Sequence, residues 1–124
     1  MSEKNIASAL AYYHAMNNKD LASIEKHLHP EVRLISPLAD IRGKDAVLNS
    51  VNHFLAVFNK LTIRAHCGSG DQVMLAYDLH CPVPFGIVRG AVLLTFQEGL
   101  IIHYELFYDA RPFEKKKDEI FPQS

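Results

Sequence analysis

The sequence predicts an α+β domain, a curved, cone-shaped antiparallel sheet with three N-terminal helices covering its concave face. Three observations predict it. Up to Phe58, apolar residues recur at helical spacing in three separate stretches. Beyond that point the period changes to two, the signature of strands. Each break between the alternating runs carries its own turn chemistry, with Gly68-Ser69-Gly70-Asp71, Pro82-Val83-Pro84-Phe85-Gly86 and Gln97-Glu98-Gly99.

In chain order, Ile6, Ala9, Leu10, Tyr13 and Met16 place one apolar stripe on a first helix that runs to about Asn17. Asp20 can cap a second helix, because its carboxylate accepts from the free N–H groups of the first turn. Leu21, Ile24 and Leu28 give that helix a buried side, and Pro30 closes it. Val32, Leu34 and Ser36 alternate with Arg33 and Ile35 as a short strand that Pro37 stops, followed by a loop through Asp40. Ala46, Val47, Val51, Phe54, Leu55 and Phe58 then recur with helical spacing over residues 44–58, a third helix starting after Gly43. The rest reads as a meander of strands over 62–67, 72–81, 87–96 and 100–109. Gly99 can supply the positive φ of a three-residue hairpin, which would pair Phe96 with Leu100 and Val92 with Tyr104.

The last three strands sort their side chains into two sets. One parity reads Val73, Leu75, Tyr77, Leu79, then Val88, Gly90, Val92, Leu94, Phe96, then Ile102, Tyr104, Leu106, Tyr108. The other collects Asp78, His80, Arg89, Thr95, His103, Glu105 and Asp109. Successive strand residues point to opposite faces, so these are two surfaces. The helices should cover the apolar one, leaving the charged one as an outer face, solvated or buried in a dimer.

A chain of 124 residues fits one domain, here residues 1–113 with a loosely held tail at 114–124 that includes Lys115-Lys116-Lys117. Hydrophobic content of 48%, charged content of 22% and a net charge of -1 give no electrostatic bias toward nucleic acid or anionic membrane, and neither partner is expected. No run of 18 or more apolar residues and no apolar leader marks membrane spanning or export. Cys67 and Cys81 belong to no C-x-x-C pair and read as reduced thiols of a cytoplasmic protein. The seven histidines show no fixed-offset ligand set on one element, so neither a metal nor another cofactor is expected.

Four segments, in this order and spacing, carry a family resemblance: residues 12–21, His29-Pro30-Glu31-Val32 leading to Ser36-Pro37, Arg42-Gly43-Lys44-Asp45-Ala46-Val47, and residues 102–113 ending Phe-Tyr-Asp-Ala-Arg-Pro-Phe. Over about residues 10–113 the chain resembles the nuclear transport factor 2-like superfamily, in its ketosteroid isomerase and SnoaL-like branch. In such isomerases a first-helix tyrosine donates to the developing oxyanion, an aspartate ending the first strand shuttles the proton, and a sheet aspartic acid is a second donor. The resemblance puts Tyr12 at the tyrosine position, Ser36 at the base and Val92 at the second donor. A serine without an adjacent base takes no proton near neutral pH, and valine donates nothing, which argues against steroid isomerisation.

Either Tyr12 or Tyr13 can point into a cavity; motif spacing favours the first and the apolar stripe the second. With Tyr77, Tyr104 and Tyr108 they are core aromatics or the lining of a pocket for a flat, weakly polar ligand. The principal expectation is thus a binder of a hydrophobic small molecule, contacted by Tyr12, Tyr13, Ser36, Tyr77, Val92, Tyr104 and Tyr108, with or without weak isomerase, cyclase or lyase activity. Asp109, ending its strand where twist can re-aim a side chain, is the one candidate catalytic carboxylate. Two alternatives stand beside this: a non-enzymatic module that dimerises with its own copy through the outer sheet face, and a water-activating enzyme using sheet carboxylates, as the resemblance to limonene epoxide hydrolases would allow.

Overall fold

A computed structural model describes residues 2–116. The element order is α1 (Ser2–Asn17), α2 (Leu21–Glu25), β1 (Leu28–Ser36), β2 (Ala39–Arg42), α3 (Lys44–Leu55), β3 (Lys60–Ser69), β4 (Gln72–His80), β5 (Ile87–Gln97) and β6 (Leu100–Tyr108), followed by a 3-10 turn at Arg111–Lys116. The rest of the expected tail, 117–124, lies outside the described residues.

The six strands form one curved, unclosed sheet in the order β2-β1-β6-β5-β4-β3. Helix α1 packs on β3 and β4, and α3 packs on β1 and β2, so the helices cover the two ends of one sheet face. Val73, Leu75, Tyr77, Leu79, Val92, Leu94, Phe96 and Tyr104 are all buried beneath them. The apolar parity is therefore the inner face, as the alternation rule requires.

The helix caps arise locally. Asp20 Oδ1 accepts from Ser23 N at 3.2 Å, capping α2. Lys19 donates from Nζ to the Leu55 and Phe58 carbonyls, each at 2.6 Å, and its ammonium sits 3.4 Å from the centre of the Phe58 ring. That side chain satisfies carbonyls the end of α3 leaves free. Asn17 ties α1 to β3 with a two-way amide pair, donating to Leu61 O at 2.6 Å and accepting from Leu61 N at 2.7 Å.

Five expectations are corrected. Helix α2 ends at Glu25, and Leu28 begins β1, opposite Ile101 of β6. That β1–β6 ladder is parallel, so the sheet is antiparallel everywhere except at this pair. The segment after Pro37 is not a loop: β2 pairs with β1 in a tight hairpin, fastened where Ser36 Oγ accepts from Leu38 N and Ala39 N at 3.2 and 3.1 Å and where Arg33 forks onto Asp40 at 2.9 and 2.7 Å. The last hairpin has a two-residue turn, with φ of 55° at Glu98 and 80° at Gly99, so Gln97 meets Leu100 and Phe96 meets Ile101. Positive φ at both positions matches the twist of the flanking strands. A register shift next to this turn leaves Ile101 buried in place of Ile102 and sets Val92 opposite Leu106, yet Tyr104, Leu106 and Tyr108 keep the inner face. The third helix also stops sooner, at Leu55.

Candidate functional site

All five tyrosines of the chain gather on the inner side of the sheet. Tyr12 and Tyr13 come from α1, and both are buried, because the buried stripe of that helix is Ala9, Tyr12, Tyr13 and Met16. Tyr77, Tyr104 and Tyr108 come from β4 and β6. Tyr12 meets Tyr13 and Tyr104 edge-on at ring separations of 5.1 and 5.6 Å, and Tyr13 stacks on Tyr77 at 6.2 Å. Such pairs contribute beyond the area they bury.

Register explains how three of these phenols share one bowl. Gly90 of β5 stands between Tyr77 and Tyr108, paired with each across its two neighbouring strands. A Cβ at Gly90 would lie 2.8 Å from the Tyr77 hydroxyl, so the missing side chain is what lets that phenol lie across β5. Beside them a cavity of about 40 Å³ opens between α3 and the sheet. Helix α3 contributes Ser50, Val51 and Phe54; β1 contributes Leu34. Tyr77, Leu79 and Val88 line the β4–β5 side, Tyr104, Leu106 and Tyr108 the β6 side, and Phe113 comes from the turn after β6. About three or four waters would fill it, since each needs on the order of 10–15 Å³.

Among the described residues, no ionisable acid, imidazole or cation lines this cavity. Burial raises the Tyr12 and Tyr13 phenols well above their ordinary value and also raises Tyr77, Tyr104 and Tyr108. Each is therefore a neutral hydroxyl around neutral pH. Tyr13 donates to the Tyr104 oxygen at 3.3 Å, a long bond that leaves the Tyr104 proton free to point elsewhere. Tyr12 OH is buried and makes no hydrogen bond among the described residues. Near Tyr108, the Ser36 hydroxyl partly counteracts the effect of burial. The arrangement can donate hydrogen bonds into an apolar space; among the described residues its lining holds no group that takes a proton near pH 7.

The residues singled out in the sequence divide accordingly. Tyr77, Tyr104 and Tyr108 line the cavity. Tyr12 and Tyr13 stand behind Tyr104, one ring removed. Val92 is fully buried between Leu75 and Leu106 and does not reach the lining. Ser36 spends its oxygen on two backbone N–H groups of the β1–β2 hairpin. Asp109 is half exposed and held by Arg111, with contacts of 2.7 to 3.2 Å that lower its carboxyl to about 2. It is not among the lining residues. Asp78, His80, Arg89, His103 and Glu105 are also absent from the lining, and their strand parity sets them on the opposite face. No group of three or more His, Cys, Asp or Glu side chains suited to a metal ion occurs among the described residues.

Two lining residues escaped the sequence reading. Ser50 is buried at 3% exposure, three residues after Val47 and four before Phe54, so it interrupts an apolar helical stripe with a hydroxyl. That interruption was a legible signal. Phe113 is also 3% exposed, brought in by the turn after β6, a position that no periodicity marks.

The SnoaL-like domain family model matches residues 9–104. No curated protein is significantly similar in sequence. Among solved structures, a protein from Kribbella flavida is 26% identical, with a TM-score of 0.82 over 88% of this chain and 89% of that one. A steroid delta-isomerase from Pseudomonas aeruginosa is 20% identical, with a TM-score of 0.79 over 98% of this chain and 90% of that one. A de novo designed protein with a curved β-sheet is 19% identical, with a TM-score of 0.85 over 97% of both chains. The last two likenesses concern the fold alone. The chain belongs to the SnoaL-like domain family, whose model spans most of its length.

Proposed function

We propose that the protein binds a small, neutral, hydrophobic molecule bearing one hydrogen-bond acceptor, and holds it without acid–base catalysis. One observation carries this reading. Three neutral phenols, Tyr77, Tyr104 and Tyr108, with Ser50, line a cavity whose other described walls are apolar, with no ionisable acid, imidazole or cation among the described residues of its lining. A carboxylate or ammonium ligand would lose its hydration there with no counter-charge, at a cost of several kcal/mol. A carbonyl oxygen would meet a donor. Ser36 and Val92, where related isomerases keep acids, offer neither a base nor a second donor, which favours binding over isomerisation. Asp109 stays outside this proposal because its carboxylate is committed to Arg111.

A thermal-shift series tests the reading. Cyclohexanone and acetophenone should raise the melting temperature, toward about 2.7 kcal/mol of added stability at a hundred times the dissociation constant. Benzoate should not. Equal stabilisation by benzoate, or none by any neutral ketone, would defeat it.

A second reading concerns the outer sheet face. Phe107 and Met74 are 49% and 39% exposed there, around half-buried Ala91, Leu93 and Ile35. Arg33, Glu105, Arg89 and Asp78 surround that apolar centre. An apolar centre with a charged margin suits pairing with a second copy. Sizing chromatography at low and high salt checks this, and a monomer at high concentration in both would exclude it. The free thiols Cys67 and Cys81 favour a reducing compartment, the cytoplasm. No helix among the described residues is long and apolar enough to cross a membrane.

A further inference from the structure

One wall of the cavity is the ring of Phe113, from the turn that follows β6. Phe113 stacks on Phe85 at 4.9 Å and 14°, and meets Tyr108 edge-on at 5.8 Å and 87°. It is 3% exposed, while Arg111 and Glu114 in the same turn are exposed. The turn follows directly on β6 and has a backbone bond from Phe113 N to Ala110 O at 2.9 Å. An apolar cavity that takes benzene measures on the order of 150 Å³, well above the 40 Å³ present here. Any ring that enters must therefore displace a ring already there, and Phe113 is the lining aromatic borne on a short turn instead of a long helix or strand.

We infer that Phe113 is an exchangeable internal occupant of the site, and that the ligand is a planar, single-ring, uncharged aromatic carrying a carbonyl, which replaces the Phe113 ring against Phe85 and Tyr108. This rests on the binding reading above and adds the ligand's shape and a competitor within the chain. The phenyl plug supplies no hydrogen-bond acceptor, so the phenols gain a partner only when the ligand takes its place. Competition of this kind lowers the apparent affinity by the fraction of time the site is open, and removing the plug restores it.

Acetophenone is the probe, applied to the full chain, with amide hydrogen exchange at residues 111–116 read beside the thermal shift. Binding should speed exchange in that turn while slowing it elsewhere. Phe113→Ala should bind acetophenone about tenfold more tightly than the wild type, corresponding to a site closed roughly nine-tenths of the time. Phe113→Leu should shift affinity the same way, and it keeps the test alive if Phe113→Ala does not fold. Acetophenone that binds while slowing exchange in the turn, with no gain in any variant, would overturn the plug and leave the binding reading intact. No shift by acetophenone in the wild type or the variants, with cyclohexanone equally silent, would bring down both.

Discussion

Replacing Gly90 with alanine tests how the tyrosine bowl is built. The new Cβ would lie 2.8 Å from the Tyr77 hydroxyl oxygen, 2.9 Å from Cζ and 3.1 Å from Cε1. Real Cβ contacts are essentially never below 3.0 Å, so the phenol must move, and Tyr13 stacked on Tyr77 resists that movement. Overpacking of this kind costs about 1–3 kcal/mol. Against it, alanine restricts the unfolded chain and returns about 0.4–1 kcal/mol, since Gly90 has no positive φ to forbid a side chain. The net is a destabilisation of about 1–2 kcal/mol. For a domain of this length that lowers the melting temperature by roughly 3–10 °C. Urea unfolding followed by circular dichroism measures the loss. Tyrosine emission reports on the bowl in the same experiment, because the chain has no tryptophan and all five tyrosines are in the cluster. A cycle with Tyr77 isolates the cause. In a Tyr77→Leu background the alanine penalty should vanish, and in Tyr77→Phe it should shrink only in part, because Cζ is still 2.9 Å away. A penalty that is the same in all three backgrounds, or no penalty with Tyr77 present, would refute the packing argument.

Three further outcomes follow from the same geometry. Burial raises the phenols of Tyr12, Tyr13, Tyr77 and Tyr104, so the folded state holds them protonated while the unfolded chain ionises near pH 10. Their contribution is complete below about pH 10 and lost as pH rises above it, at about 1.4 kcal/mol per pH unit for each phenol. Phenolate absorbance from these four should thus appear together with loss of circular dichroism; ionisation near pH 10 in a folded protein would contradict it. Lys19→Met removes the ammonium from the Phe58 ring and from the Leu55 and Phe58 carbonyls, and should cost about 1–2 kcal/mol in urea unfolding; an unchanged midpoint would show that these contacts contribute nothing. Asp109→Asn should leave acetophenone affinity within about twofold, below about 0.5 kcal/mol, and a tenfold loss measured by calorimetry would place that carboxylate in the site.

The two faces of the meander were legible because period two is a local property: Tyr77, Tyr104 and Tyr108 needed only their parity to be assigned inward. What could not be read locally depends on partners far along the chain. Leu28 suits the buried side of a helix as well as a strand, and its ladder with Ile101 decides the matter. Ala39–Arg42 alternates for only four residues, too short a run to stand out from a loop; it becomes a strand because Ser36, Arg33 and Asp40 fasten it to β1. The one-residue slip after Gly99 was hidden because a tight turn followed by a register shift returns Tyr104 to the same face. Within the site, the motif spacing that singled out Tyr12 was informative about burial but not about access, since Tyr104 stands between it and the cavity. Phe113 went unassigned because a lone aromatic past the final strand has no period to betray it.

The central claim, neutral phenols donating to an uncharged ring ligand, is tested most directly by calorimetric titration of acetophenone and of isopropylbenzene, its carbonyl-free counterpart, into the wild type and Tyr104→Phe. The wild type should prefer acetophenone about fivefold, the worth of one neutral hydrogen bond near 1 kcal/mol, and Tyr104→Phe should lose that preference while binding isopropylbenzene unchanged. Equal affinity for both compounds in the wild type would contradict the claim.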